Sequence, residues 1–156
     1  MKPNLGILET HLQSVSEELN KLLADEMVLY IKTRNYHWNI EGPNFNEMHK
    51  FYEQQFNELD EMMDHIAERI RMIGHYTEAR LADYLKLTNL IEPAYTNFQN
   101  DQLKHLLASH ETIIHNLRRL IPFFADKHKD IGSSEVVTQL LKKHEKMAWM
   151  VRAYLG

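Results

Sequence analysis

Apolar residues recur at helical spacing along most of the chain and divide it into long segments. The first segment starts at Leu8 and continues until Glu41–Asn44, where glycine and proline interrupt the pattern. The second segment should end at Gly74, because glycine is typical of helix C-termini. Asn44, followed three residues later by Glu47, predicts a capping box at the start of this segment. Its apolar stripe consists of Phe51, Leu59, Met62, Met63, Ile66 and Ile70.

The chain after Gly74 is at first irregular and then returns to the helical period. Within residues 75–98, only Leu81–Leu87 predicts a short helix, which would lie inside a long crossover. A third long helix should begin near Asn100. Pro122 should kink or end that helix, because proline has no backbone N–H and its ring crowds the preceding turn.

A turn at Asp130–Gly132 separates the third long helix from a fourth, which should run to Leu155. Ser133 or Ser134 would supply its N-cap. Four long helices with two short turns and one long connection predict an all-α, ferritin-like four-helix bundle. A short extra helix would lie in the crossover between the second and third long helices. No repeat, low-complexity tract or linker divides residues 1–156, so we expect a single domain.

Composition excludes several classes of protein. The 156 residues are 44% hydrophobic, include ten histidines and no cysteine, and carry a net charge of -4. No window approaches the roughly 20 apolar residues of a membrane span, and Met1–Gly6 lacks the basic-then-apolar order of a secretory signal. The absence of cysteine fits a reducing cytoplasm. The acidic balance argues against a generic nucleic-acid-binding surface.

Four potential metal ligands share one face of the second predicted helix. They are His49, Glu53, Asp64 and Glu68, and they are symmetric about the point midway between Glu58 and Leu59. At about 1.5 Å per residue, His49 and Glu68 lie nearly 30 Å apart, so no single ion can contact both ends of one helix. An antiparallel second copy would bring the histidine end of one helix against the carboxylate end of the other. The spacing therefore predicts two identical sites shared between the subunits of a symmetric dimer.

His37 joins this set through hairpin geometry, because His37 and His49 are equidistant from Pro43. Each predicted site then combines residues of two subunits: His37, His49 and Glu53 from one, and Asp64 and Glu68 from the other. Mixed nitrogen and oxygen ligands suit a redox-active first-row metal such as iron, whereas an all-oxygen set would indicate magnesium or calcium. The alternative interpretation is a charged helix face that is merely solvated. The chain contains no Glu-x-x-His pair, the ligand pair of ferritin-type bundles, so any site must be assembled differently.

The sequence resembles the Dps family of miniferritins, the starvation-induced DNA-protecting proteins. The resemblance rests on Asn35–Gly42 (NYHWNIEG), followed by Phe45, His49 and then Asp64–Arg69 (DHIAER). It extends over nearly the whole chain, through the short crossover helix to the closing Trp149–Met150. The resemblance implies a Dps-type hollow dodecamer with ferroxidase centres at its two-fold interfaces. Such centres oxidise ferrous iron, usually with hydrogen peroxide, and the ferric mineral is stored inside the shell.

Residue by residue, the resemblance assigns His37, Asp64 and Glu68 to the more tightly bound iron. His49 and Glu53 would approach a second iron, with Glu68 bridging, so each inter-subunit site would take two irons. Many relatives have aspartate where this chain has Glu53. The longer carboxylate should still reach, but the affinity for the second iron is expected to differ.

The resemblance also draws attention to an aromatic residue and to an acidic segment. Trp38 would lie near the oxidation chemistry and intercept stray oxidising equivalents; the alternative is an interface aromatic that contributes buried area. Asp126, Asp130 and Glu135 match acidic residues that relatives place in the three-fold pores through which iron enters. Ile131 interrupts that run, and a solvated loop is the alternative reading.

The family name suggests DNA binding, which this sequence supports weakly. Members that bind DNA often carry a flexible Lys/Arg-rich tail that contacts phosphates. Here only Lys2 precedes the first predicted helix, and the other basic residues alternate with acids. We therefore expect weak or absent DNA binding, no membrane partner, and protection through the removal of iron and peroxide. A nucleoid-binding structural protein with secondary iron chemistry, or a shell without oxidase activity, are the alternatives.

Overall fold

The structure, a computed structural model, describes residues 3–156, in which all regular secondary structure is helical and no strand occurs. Residues 1–2, and with them the isolated Lys2, lie outside the described residues. The helices are α1 (Glu9–Asn39), α2 (Phe45–Met72), α3 (Leu81–Leu87), α4 (Gln99–Pro122) and α5 (Ile131–Leu155). A π-helical turn, Phe123–Lys127, follows α4 directly after Pro122. The predicted all-α class, the short crossover helix and the interruption at Pro122 are therefore confirmed.

The bundle consists of two helical hairpins that share one core. α1 packs along α2, α4 packs along α5, and α3 lies against α1. The long crossover between the hairpins opens at Gly74, whose φ of 92° is a left-handed conformation that ends a helix. The apolar stripe predicted for α2 is buried in the core, together with apolar side chains from the other three long helices. None of the helices in residues 3–156 is both long and apolar enough to cross a membrane.

The start of α2 differs from the predicted capping box. The helix begins at Phe45, and the side chain of Asn44 does not cap it. Nδ2 of Asn44 instead donates to Oε1 of Gln99 at 3.2 Å. Oε1 of Glu47 accepts a hydrogen bond from the hydroxyl of Tyr154 at 2.8 Å. The capping prediction is wrong because both side chains bond to other helices, which local spacing does not reveal.

The N-cap of α5 is Asp130 rather than Ser133 or Ser134. Oδ1 of Asp130 accepts from the backbone N–H of Ser133 at 2.9 Å, and Oδ2 accepts from the hydroxyl of the same serine at 2.6 Å. The hydroxyl of Ser134 donates to the carbonyl of Ile121 at 3.1 Å. The helix therefore begins at Ile131, earlier than predicted, because a carboxylate at its N-terminus satisfies the free N–H group and favours the helix dipole.

Two buried charged side chains of α1 hold the crossover in place. The carboxylate of Asp25 accepts from the hydroxyl of Thr88 at 2.7 Å and from the backbone N–H of the next residue at 2.6 Å. The ammonium of Lys32 donates to the carbonyl of Ile91 and to Oγ of Ser109, both at 2.8 Å. These bonds fix the part of the crossover that follows α3 against α1 and α4.

A chain of buried polar side chains crosses the core between α1, α5 and α4. Nε2 of His144 donates to Oε1 of Glu26 at 2.7 Å. The Nδ1 atoms of His144 and His110 lie 2.9 Å apart, so one of the two carries the shared proton. Burial, and then electrostatic interaction with His144 and Lys32, lower the pKa of His110 well below its ordinary value. His110 is therefore neutral near pH 7.

Candidate metal centre

Two histidines from adjacent helices form a stacked pair beside the turn between α1 and α2. The ring centroids of His37 and His49 lie 3.6 Å apart, and the ring planes differ by 21°. Their hydrogen bonds are reciprocal. Nδ1 of His37 donates to the carbonyl of His49 at 2.7 Å, and Nδ1 of His49 donates to the carbonyl of His37 at 2.8 Å. The hairpin around Pro43 thus brings the two imidazoles together at one level.

These two hydrogen bonds set the tautomer of both rings. A carbonyl oxygen can only accept, so the proton of each neutral imidazole is on Nδ1 and the lone pair is on Nε2. Metal-binding histidines commonly donate their other N–H to a carbonyl or a carboxylate in this way. The His37–His49 pair can therefore offer two nitrogen ligands whose orientation is determined by the backbone.

Aromatic rings pack against the histidine pair on two sides. The edge of Phe56 meets His37 with centroids 5.2 Å apart and planes at 86°, and Phe45 lies 5.2 Å from His49. His37 is only 8% exposed. The guanidinium of Arg34 covers Phe56, 4.3 Å from the ring centroid. The spacing of the predicted ligands does not identify Arg34 or Phe56 as neighbours of the site. The one indication in the sequence is that Arg34 precedes His37 by about one helical turn and so lies on the same helix face.

The candidate carboxylates of α2 are exposed and unpaired. They are Glu53, Asp64 and Glu68. Within residues 3–156 none of them makes a hydrogen bond or an ion pair. Other acids of the same helix are paired: Glu58 and Glu61 lie 3.0 and 3.8 Å from the ammonium of Lys143. The three predicted carboxylate ligands are therefore exposed and without a cation, a state that Asp60 of the same helix shares.

One protomer does not assemble the five predicted ligands around a single ion. α2 is continuous over Phe45–Met72, so His49 and Glu68 are nearly 30 Å apart at about 1.5 Å per residue. In the part of the chain that the structure describes, no three His, Asp or Glu side chains converge where a metal ion could bind. Glu53 follows His49 by about one turn on the same face, whereas Asp64 and Glu68 lie toward the far end of the helix.

The other predicted residues lie in three different environments. Trp38 is 64% exposed. Asp126, in the π-helical turn, and Glu135, in the first turns of α5, are also exposed. Asp130 is 1% exposed, and its carboxylate accepts a hydrogen bond from Arg69 at 2.6 Å in addition to capping α5. The carboxylate of Asp130 is therefore already bonded inside the protomer, whereas Asp126 and Glu135 are open to solvent.

Comparison with known proteins defines the class. Residues 16–156, which span all four long helices for most of their length, match the family model of the ferritin-like domain. The chain therefore belongs to the ferritin-like proteins.

Similarity to individual proteins identifies the family within this class. The chain is 32% identical to DNA protection during starvation protein 2 of Bacillus anthracis, over 92% of this chain and 98% of the relative. It is 35% identical to a low temperature-induced protein of Nostoc sp., over 97% and 86% of the two chains. A crystal structure of a Dps protein from Vibrio cholerae O1, a member of a broad superfamily of ferritin-like diiron-carboxylate proteins, superposes with a TM-score of 0.93. That match has 30% identity and covers 100% of this chain and 98% of the other. The chain is a member of the Dps family.

Proposed function

We propose that the protein is a ferroxidase that oxidises ferrous iron and stores the ferric product inside a hollow dodecamer. The observation that carries this proposal is the His37–His49 pair, because its reciprocal hydrogen bonds leave both Nε2 lone pairs available to a metal ion. The unpaired carboxylates on the same face of α2 supply the oxygen donors. Mixed nitrogen and oxygen donors suit iron, which is here the substrate and the stored product.

The complete site forms between two subunits that are related by a two-fold axis. The axis passes near the midpoint between Glu58 and Leu59, and the two α2 helices run antiparallel across it. This pairing sets His49 opposite the partner's Glu68, so each interface contains two equivalent sites. Residues 3–156 of one protomer bring no three His, Asp or Glu side chains together around an ion, which fits a construction that needs two chains.

In each site the five ligands divide between two ferrous ions. The first ion is held by His37 and by Asp64 and Glu68 of the other subunit. The second ion is held by His49 and Glu53, and Glu68 bridges the two ions. Three carboxylates offset three of the four positive charges of two ferrous ions, so the net charge of the loaded site stays small.

A site with two ferrous ions meets the electron demand of hydrogen peroxide, which we propose as the preferred oxidant. Each ferrous ion gives one electron, the O–O bond breaks, and two protons complete two molecules of water. The ferric product hydrolyses and accumulates as mineral inside the shell.

Asp126 and Glu135, which are exposed, line the pores through which iron enters. Asp130 supports that region from its buried position. Removal of ferrous iron and peroxide together prevents the radical damage that they cause in combination.

We propose that this protection involves little direct DNA binding. The relative from Bacillus anthracis is named for DNA protection, but this chain carries a net charge of -4, which twelve copies multiply. We place it in the cytoplasm as a single Dps-type domain. Gel retardation of DNA at neutral pH, repeated at rising salt concentration, tests the alternative of a nucleoid-binding structural protein. Salt-sensitive retardation would favour that alternative, and free DNA at low salt would support ours.

A subunit-mixing experiment tests the shared site. One variant lacks His37 and His49, the other lacks Asp64 and Glu68, and each alone should be nearly inactive. A mixed dimer holds one interface site with both defects and one intact site. Shells assembled from both variants should therefore recover up to about a quarter of the parental ferrous oxidation, because half of the dimers are mixed and each has one intact site of two. If shells shown by native mass spectrometry to be mixed recover no activity, the two-fold construction is wrong.

A further inference from the structure

The guanidinium of Arg34 lies within an aromatic cluster next to the histidine pair. Its central carbon is 4.3 Å from the ring centroid of Phe56, 5.4 Å from that of Tyr30 and 5.5 Å from that of Trp38. Tyr30 and Phe56 meet edge to face, with centroids 6.1 Å apart. Within residues 3–156, Arg34 makes no hydrogen bond or ion pair, so no carboxylate there balances its charge. Three aromatic rings therefore hold the cation in place.

We propose that Arg34 is a positioning residue that protects Trp38 from one-electron oxidation. Loss of an electron places a positive charge on the indole ring. A fixed cation next to the ring disfavours that charge by Coulomb repulsion, whereas it is attracted to the electron-rich neutral ring. The inference rests on the proposed ferroxidase activity in one respect, namely that the oxidant which threatens Trp38 is generated at the neighbouring iron site.

The threatening reaction occurs when a site contains one ferrous ion instead of two. Reduction of one hydrogen peroxide molecule to two waters needs two electrons and two protons, and a single ferrous ion supplies one electron. Trp38 adjoins the ligand His37 and can supply the second electron. The products are then one ferric ion, two waters and an indole radical cation. Arg34 raises the energy of that radical cation and so disfavours electron transfer from Trp38. The second electron is then supplied by a second ferrous ion, and the indole ring stays intact.

Trp149 provides an internal comparison. The chain has two tryptophans, and in the protomer Trp38 is 64% and Trp149 63% exposed. In the described part of the chain, a guanidinium lies over the ring of Trp38 and no cation lies over that of Trp149. The two indoles are therefore equally exposed, and in the described part of the chain only the ring of Trp38 is covered by a guanidinium.

A first experiment measures the protection without iron. Azide radicals, generated by radiolysis, remove one electron from tryptophan, and peptide mass spectrometry then gives the ratio of oxidised Trp38 to oxidised Trp149. Arg34→Met should raise this ratio about threefold to tenfold, because it removes the charge but keeps an apolar stem. Arg34→Lys should retain most of the protection. The matched control is Arg71→Met, which removes a guanidinium that lies 4.4 Å from the ring of Tyr76, away from this cluster.

Exposure must be separated from charge in that experiment. Acrylamide quenching in a Trp149→Phe background reports the exposure of Trp38 alone. A raised oxidation ratio with unchanged quenching, and rescue by Arg34→Lys, supports the inference. An unchanged ratio, or a rise that Arg34→Lys shows equally, overturns it and reduces Arg34 to a packing role.

A second experiment repeats the measurement with iron at less than two ferrous ions per site, followed by hydrogen peroxide. Oxidised Trp38 per iron oxidised should rise in Arg34→Met and not in Arg71→Met. If the parental protein oxidises no ferrous iron, the proposed function fails while the azide result still decides the role of Arg34. If iron is oxidised and Trp38 is damaged equally with and without Arg34, the inference fails while the proposed function stands.

Discussion

Nη2 of Arg69 donates to Oδ1 of Asp130 at 2.6 Å and so ties the C-terminal part of α2 to the first turn of α5. Arg69 directly follows Glu68, so this ion pair anchors the end of α2 that carries the carboxylate half of the proposed site. Gly132 leaves room for the contact, since a Cβ there would lie 2.7 Å from the same guanidinium nitrogen. A buried carboxylate thus serves both the helix cap and the placement of a neighbouring ligand.

Asp130→Ala should lower the free energy of unfolding by about 2–4 kcal/mol, because it removes a helix cap and leaves the partly buried guanidinium of Arg69 without its partner. Asp130→Asn should lose less, since its amide oxygen still accepts from the backbone N–H of Ser133. Urea unfolding at a fixed protein concentration provides the measurement. Asp126→Ala is the control and should change stability by no more than about 0.5 kcal/mol. Equal losses at the two positions would contradict this account of Asp130.

His37→Ala or Asp64→Ala should slow ferrous oxidation by on the order of a hundredfold or more, because each removes a proposed ligand of the first iron. Assembly should persist, since the apolar stripe of α2 is untouched. Stopped-flow absorbance of the ferric product and native mass spectrometry measure the two properties. His65→Ala is the matched control, because His65 is exposed and lies next to Asp64 on a different face. Parental rates in Asp64→Ala would show that the ligand assignment is wrong.

Glu53→Ala should have a milder effect than the loss of Asp64, because in the proposed site Glu53 contacts only the second ion. We expect about a tenfold loss of affinity for that ion, with the first ion still bound. Titration with cobalt(II), followed by its visible absorbance, counts the ions and gives both affinities. Gln54→Ala, which alters the adjacent exposed residue, should leave the titration unchanged. Loss of both ions in Glu53→Ala would mean that this carboxylate belongs to the first site.

The stability of the protein should fall as the pH drops below about 6.5, and His110 should contribute to that fall. The pKa of His110 is lowered in the folded protein, so the unfolded chain binds more protons in this range and acid favours unfolding. The groups that face His110 are His144 of α5 and Lys32 of α1, and electrostatic interaction with each of them opposes its protonation. His110→Gln should reduce the slope of unfolding free energy against pH by up to about 1.4 kcal/mol per unit.

Urea unfolding between pH 7.5 and 5.5 measures that slope, within a range where carboxylates contribute little. His115→Gln, at an exposed position of the same helix, should leave it unchanged. His128, whose pKa is also lowered by burial, keeps part of the slope in both variants. If His110→Gln and the parental protein show the same slope, His110 does not contribute to the loss of stability at low pH.

Helix positions and one half of the candidate site follow from the sequence because they depend on spacing. The helical period locates the four long helices, and equal distances from Pro43 bring His37 and His49 together. The helix caps do not follow, because Asn44 bonds to Gln99 of another helix instead of its own. The helical period identifies the helix face on which a residue lies, but it does not identify the residue of another helix that its side chain contacts. For the same reason the aromatic cluster around Arg34 became visible only in the fold.

The reciprocal hydrogen bonds between His37 and His49 fix the side-chain torsion angles of both histidines when the chain folds. Capture of an ion then needs no further loss of rotamer entropy on the nitrogen side. Asp64 and Glu68, exposed and unbonded, keep their rotamer freedom until the ion arrives. In the proposed site, the oxygen side can therefore follow the contraction in ionic radius from ferrous to ferric iron. With one half fixed and the other half free to adjust, the proposed site could hold each oxidation state in turn.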